Sequence, residues 1–214
     1  MAATLTSEQQ QLAAQLYLSG MSTRQVAEHF DISLGAAFYA LRTQAVPRRG
    51  IAESNRLQFE AKPLSYKVRE KLNSRDKQLK LAAVMLYWAE GYKVGNAVDF
   101  ANSDPNMAFL FRAFLSRICG IDERKLRCSL FCYPGQDVSN LTNYWSELLS
   151  VPASQFTKPY VSKVSKPGPR GPRMKHGLVH IRYCDKKLLR QLLLWIEELT
   201  EECVGGGVVN RDWL

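Results

Sequence analysis

The 214-residue chain has little that suits a membrane or a secretory route. No apolar run reaches the ~18 residues that span a bilayer. The longest, LAAVMLYWA at 81–89, has nine. The opening MAATLTSEQQQ carries neither the basic region nor the apolar core of a secretory signal, so a cytoplasmic protein with no membrane partner is expected. Cysteine is sparse. The five, at 119, 128, 132, 184 and 203, form an odd set without a CxxC pair, which argues against a disulfide framework and for reduced, mostly buried thiols. Histidine is scarcer still, at three residues. His176, His180 and Cys184 are spaced by four, so one strand would carry them on one face; that could form a metal site, or the strand could simply carry them. Acids are also short. Against 29 Lys and Arg stand 20 Asp and Glu, a net charge of +9. Such an excess points to a polyanionic partner, nucleic acid or an anionic membrane surface.

Apolar residues make up 46% of the chain, enough for a buried core. The first segment, TSEQQQLAAQLYLSG, reads as an amphipathic helix capped by Thr6 or Ser7, with Gln9 or Gln10 as capping-box partner and Gly20 as its stop. Leu12, Leu16 and Leu18 are expected on its apolar side with Ala13 and Tyr17. A second helix starts at Ser22 with Gln25 at its third position and turns Val26, Ala27 and Phe30 inward. After the turn at DIS, Ser33 caps a third, LGAAFYALRTQ. Three short helices with a small Ala27 in the second resemble a helix-turn-helix DNA-binding domain of the resolvase and transposase type. The resemblance implies that the third helix enters the major groove. Its exposed candidates are Ser33, Gly35, Ala36, Tyr39 and Arg42, a surface poor in base-reading groups. PRRG at 47–50 adds Arg48 and Arg49 on an extended arm suited to phosphate or minor-groove contact. A three-helix protein-interaction module is the alternative. Residues 51–76, broken by Pro63, read as a linker with a short helix.

Ser74 is expected to cap the next helix, which holds the nine-residue apolar run. A helix apolar on all sides is buried on all sides, yet this one ends in Glu90 and Gly91. A carboxylate at a helix C-terminus meets the negative end of the dipole, and burying it unpaired costs several kcal/mol. A cation is therefore expected beside Glu90: Lys93, an arginine, or a divalent metal.

AVMLYWAEG at 83–91 resembles the LAGLIDADG motif of homing endonucleases. In that family two such helices pack side by side, one per subunit or one per half. The resemblance implies that Glu90, at the Glu90–Gly91 end of the helix, holds Mg²⁺ at the scissile phosphate, since hard oxygen ligands suit that ion. It implies that Gly91 lets the chain turn sharply into a strand. The segments downstream of Gly91 resemble the same family in their order. NAVDF is a strand, SDP a turn, and the segment from Pro105 a helix with Met107, Leu110, Phe111, Phe114, Leu115 and Ile118 as its stripe. KLRCSLFCY is a strand with Leu126, Cys128, Leu130 and Cys132 alternating. DVSNLTNYWSELLSVP is a helix, SQFTKPYVSK and GLVHIRYC are strands, and DKKLLRQLLLWIEEL closes the set.

From Val151 to His176 the chain carries Lys158, Lys163, Lys166, Arg170, Arg173 and Lys175 and no acid. With Arg182 on the following strand, these are the expected phosphate contacts of a saddle on double-stranded DNA. The family's auxiliary lysine is suggested at Lys158 or Lys163. The expected fold class is α+β: a small all-α helix-turn-helix domain at 1–50, a linker at 51–76, a LAGLIDADG-endonuclease-like domain of the αββαβαββα type at 77–200, and a tail at 201–214. Only one motif is visible, which implies a homodimer with both Glu90 side chains on the two-fold axis. Motif position three is Met85 and position six Trp88. Two functions are consistent with these features: a Mg²⁺-dependent site-specific DNA endonuclease, or a regulator that keeps the fold and binds DNA without cutting it.

Overall fold

The computed structural model describes residues 5–163 and 174–205. The chain forms two compact units, Met1–Pro63 and Leu64–Leu214. Among the described residues are eight α-helices and one mixed five-stranded sheet, an α+β architecture.

The first unit holds α1 (Ser7–Leu18), α2 (Thr23–His29), α3 (Leu34–Thr43) and α4 (Ile51–Ala61). Reciprocal capping boxes start α1 (Thr6 with Gln9) and α2 (Ser22 with Gln25), and the Ser33 hydroxyl accepts from Ala36 N at 3.2 Å to start α3. A small core of Ala13, Tyr17, Val26, Ala27, Ala37 and Leu41 joins α1 to α3. Leu12 and Leu18, expected inside, are 44% and 69% exposed, because the alanines and Tyr17 form the inward face of α1. The segment expected to be a linker is divided. Residues 51–61 form α4, whereas 64–72 run along the second unit, where Lys67 N donates to Gly120 O and Arg69 N to Ile118 O.

In the second unit α5 (Ser74–Glu90) is capped by Asn73, not Ser74: the Asn73 side chain accepts from Asp76 N. The chain continues through β1 (Gly91–Tyr92), β2 (Val98–Asn102), α6 (Pro105–Arg117), β3 (Leu126–Cys132), α7 (Val138–Leu149), β4 (Tyr160–Val161), β5 (Leu178–Tyr183) and α8 (Lys186–Val204). The strand order is β1-β2-β5-β3-β4, antiparallel except for the β3–β4 pair. The strand expected at 154–163 is shorter; Tyr160 and Val161 pair with Phe131 and Cys132, and Phe156 makes a single bridge to Cys128. Of the tail, residues 201–204 belong to α8, and 206–214 lie outside the described residues.

Alternation divides the sheet into two faces. Val98, Phe100, Leu126, Cys128, Leu130, Val179, Ile181 and Tyr183 point into one core shared with α5 to α8. At its centre Phe111 stacks on Phe100 with ring centroids 4.4 Å apart and on Tyr87 at 5.5 Å. Asp76 is buried and accepts hydrogen bonds from the guanidinium groups of Arg69 and Arg117, which ties the 64–72 segment to α5 and α6. The opposite face of the sheet carries Asp99, Arg127, Ser129, Phe131, His180 and Arg182, all half-buried or exposed.

Candidate nucleic-acid interface and carboxylate site

The apolar run of α5 is buried on one side only. Ala83, Val84 and Tyr87 face the core, while Leu81 and Met85 are 50% and 46% exposed and Ala82 and Ala89 are exposed with them. The nine apolar residues therefore serve two surfaces, and Glu90 sits exposed at the end of the second. The burial penalty expected for its carboxylate does not arise. The cation expected beside it is Lys93: its ammonium donates to Gly91 O at 3.0 Å, next to the Glu90 charge. Burial pushes the Lys93 ammonium below its ordinary value, and Glu90 works against that shift.

Gly91 makes the exit from α5 into β1 in an ordinary extended conformation, φ −78° and ψ 149°. Any residue adopts those angles, so freedom of the backbone is not why glycine stands here. The Tyr87 ring is the reason. A Cβ on Gly91 would meet its Cδ2 and Cε2 and lie 2.6 Å from Cγ. Tyr87 cannot move aside, since it is fully buried and its hydroxyl donates to Tyr92 O at 2.5 Å.

From this end of α5 the open sheet face leads away in registered rows. Tyr92 pairs with Asp99, Asp99 with Arg182, and Arg182 with Arg127; in the next row Ala101, His180 and Ser129 are neighbours. Asp99 is the one acid among them. Its Oδ1 lies 3.1 Å from His180 Nδ1 and its Oδ2 3.9 Å from Arg182 Nε, so part of the Arg182 charge faces a carboxylate. Arg127 instead donates to the Arg124 and Leu126 carbonyls. Towards β4 the face becomes aromatic: Phe131 stacks on Tyr160 at 5.2 Å, with Tyr133 edge-on at 6.1 Å.

Lys158 and Lys163 are exposed and flank β4. That strand is one edge of the sheet and β1, which follows Glu90, is the other. Four strand spacings separate them, about 19 Å. Within one chain neither lysine is therefore an auxiliary group for Glu90; Lys93 is the lysine that adjoins it. Lys175 is exposed in the turn before β5. Lys166, Arg170 and Arg173 lie outside the described residues. The His176, His180 and Cys184 set is not brought together. His176 stacks on Tyr144 at 4.0 Å, His180 faces Asp99, and Cys184 follows β5 on the surface. Among the described residues no three His, Cys, Asp or Glu side chains form a metal-binding group.

Comparison of the chain with protein-family models, curated proteins and solved structures gives no match.

In the first unit Ser33, Tyr39 and Arg42 are exposed as expected for a surface helix, with Arg42 Cζ 5.7 Å from the Tyr39 ring centroid. Gly35 is exposed and Ala36 half-buried. Arg48 is exposed and lies over Phe38. Arg49 is not a free arm residue. Its guanidinium donates to Tyr17 O at 2.8 Å, to Gly20 O at 3.3 Å and to Met21 O, and its backbone N–H donates to the Tyr17 hydroxyl. It gathers the carbonyls at and just past the C-terminal end of α1, where a cation also suits the dipole. Arg49→Ala is therefore expected to lower the stability of the first unit by about 2–3 kcal/mol, as hydrogen bonds to a charged group are lost. Arg48→Ala is expected to leave stability unchanged and, if the unit binds DNA, to reduce the salt slope of that binding by about 1. Thermal melts and salt titrations of both variants check the assignment; equal melting points would overturn it.

Residues that sequence reasoning passes over are Asp99, Arg127, Phe131, Tyr160 and Phe38. Arg127 and Phe131 are within its reach, being the outward partners of the inward set in KLRCSLFCY. Phe38 carries no such signal.

Proposed function

We propose that the chain is a DNA-binding protein of the LAGLIDADG homing-endonuclease type, which cleaves double-stranded DNA as a Mg²⁺-dependent homodimer. The observation that carries this reading is the end of α5. An exposed apolar stripe, an exposed carboxylate and a glycine with no room for a Cβ meet at the point where the helix feeds the sheet. A stripe of Leu81, Ala82, Met85 and Ala89 on one helix face suits a second copy of the same helix. A two-fold axis along it would bring two Glu90 side chains together. The open sheet face, with Arg127, Arg182 and His180, supports the reading as a surface for phosphates.

Mg²⁺ takes oxygen ligands, and the Glu90 carboxylate is such a donor. It is a single donor, so the fit depends on the carboxylate of a second chain. When bound, the ion supplies charge stabilisation at the phosphate. Glu90 would hold it, Lys93 would balance the carboxylate, and Arg127 and Arg182 would bind the DNA backbone. A second reading, a regulator that binds DNA without cutting, is favoured by one observation. Met85 stands in the middle of the stripe, where close helix packing calls for a small side chain.

Incubating the protein with a randomised duplex library in Mg²⁺, then sequencing cut ends and the bound uncut fraction, tests both. Cut ends at a near-palindrome support the endonuclease; an enriched bound sequence without cut ends supports the regulator. Met85→Lys places a charge in the stripe and is expected to shift the protein from dimer to monomer in sedimentation velocity, with its far-UV spectrum unchanged. A wild type that sediments as a monomer at all concentrations would sink the dimeric reading.

A further inference from the structure

The exposed surface of α3 is not the surface of a helix that reads base edges. Base readout needs bidentate donors and acceptors such as Arg, Asn or Gln. Instead α3 presents Leu34, Phe38 and Tyr39, which are 45%, 39% and 55% exposed, and one such group, Arg42. None of these apolar side chains belongs to the buried core of the unit, which α3 supplies through Ala37 and Leu41. Holding two rings in water is unfavourable unless something covers them.

Both rings are paired with a guanidinium. Arg42 Cζ lies 5.7 Å from the Tyr39 centroid and Arg48 Cζ 5.4 Å from the Phe38 centroid. The rings and their arginines line one concave surface of about 670 Å³, walled also by Val46 and Pro47. Pockets of roughly 300–1,000 Å³ hold small organic ligands or their equivalents. Charge narrows the choice of occupant. From Ile32 to Ala52 the chain has Arg42, Arg48 and Arg49 and no acid, and Arg49 is turned inward to the α1 carbonyls. The remaining rim is apolar and cationic. A flat π surface flanked by guanidinium groups matches a planar aromatic ring joined to an anion, which is an unstacked nucleotide.

We propose that α3 is a stacking platform for unpaired nucleobases, so that the first unit binds single-stranded or locally melted nucleic acid through Phe38 and Tyr39. Arg42 and Arg48 contact the flanking phosphates. The proposal goes beyond the endonuclease reading and does not depend on Glu90. Stacking on a ring tolerates any base, so sequence preference from this unit is weak while preference for unpaired over paired strands is strong.

The test uses the full chain. Fluorescence anisotropy compares labelled oligo-dT of about 20 nucleotides, long enough for one or more stacking sites, oligo-U of the same length, a perfect duplex, and a duplex with a central unpaired stretch. The two single strands separate DNA from RNA as the source. Wild type is expected to bind one or both single strands and the bubbled duplex. Phe38→Ala and Tyr39→Ala are each expected to weaken that binding about tenfold and to change perfect-duplex binding less than about twofold. Phe38→Trp, which keeps a stacking face, is expected to restore it. Because neither ring lies in the core, circular dichroism of the variants should match wild type. Wild-type affinity for single strands in both alanine variants would overturn the proposal and assign the rings to a protein partner. An equal loss on perfect duplex would also overturn it, making α3 a groove binder. Cleavage of the duplex library by Phe38→Ala reports on the endonuclease reading separately, so the two ideas fail independently.

Discussion

Gly91→Ala is expected to lower the melting temperature of the second unit by about 6–12 °C, from an overpacking cost near the top of the usual range. The added methyl falls on the Tyr87 ring. Overpacking of a well-filled core costs about 1–3 kcal/mol, and this site belongs at the upper end because neither partner has an escape. The Tyr87 hydroxyl is held on the Tyr92 carbonyl and its ring lies against Phe111, which in turn rests on Phe100. A cost of about 3 kcal/mol in a domain of this size converts to the shift given, at about 2–4 °C per kcal/mol. A backbone explanation for the glycine predicts otherwise: at φ −78° alanine is unstrained, and the substitution would stabilise slightly. The double variant Tyr87→Leu with Gly91→Ala separates the two. Shrinking the ring removes the clash, so adding alanine to Tyr87→Leu should cost less than about 0.5 kcal/mol, the scatter within which independent sites add. Full additivity would mean that the ring is not what excludes a side chain.

The same few residues show where sequence logic carries and where it stops. Caps at Thr6, Ser22 and Ser33 are local chemistry, in which a hydroxyl meets a backbone N–H three residues away, and they appear in the fold as their spacing implies. The inward set of β3 follows from period alone, and α6 follows it except at Met107, which is expected in the stripe and is 42% exposed at the first turn. Period fails for α5. Nine apolar residues in a row give no phase, so full burial is the natural expectation, whereas the fold buries one side and leaves Leu81 and Met85 in water. The expected burial of Glu90, which is in fact exposed, has the same origin. Strand order is the second barrier. Nothing in the order of residues says that β5 inserts between β2 and β3, and that insertion is what carries Lys158 and Lys163 to the far edge. Arg49 shows a third limit. PRRG reads as two equivalent cations, yet one is drawn 32 residues back to the end of α1, a contact set by tertiary position and invisible in the tetrapeptide.

On the proposed endonuclease reading, Glu90→Gln is expected to reduce cleavage of the library by about 10³-fold or more while sparing fold and DNA binding. The amide keeps the shape and loses the charge. If a metal held there contributes several kcal/mol to the reacting phosphate, its loss at about 1.36 kcal/mol per tenfold gives that factor. Binding should hold or tighten, since a carboxylate aimed at phosphates repels them. Stability should barely move, because Glu90 is exposed and an exposed pairing with Lys93 is worth only about 0–1 kcal/mol. The competing account makes Glu90 a structural counter-charge for Lys93. It predicts that Glu90→Gln and Lys93→Ala both leave cutting intact and that their stability effects couple in a double-mutant cycle. Persistent cut ends in Glu90→Gln would remove the carboxylate from the reaction. Cutting lost in Glu90→Gln, with DNA affinity intact and no coupling to Lys93, leaves the reacting phosphate as the place where the charge acts, and explains why an exposed helix end beside an apolar stripe carries an acid.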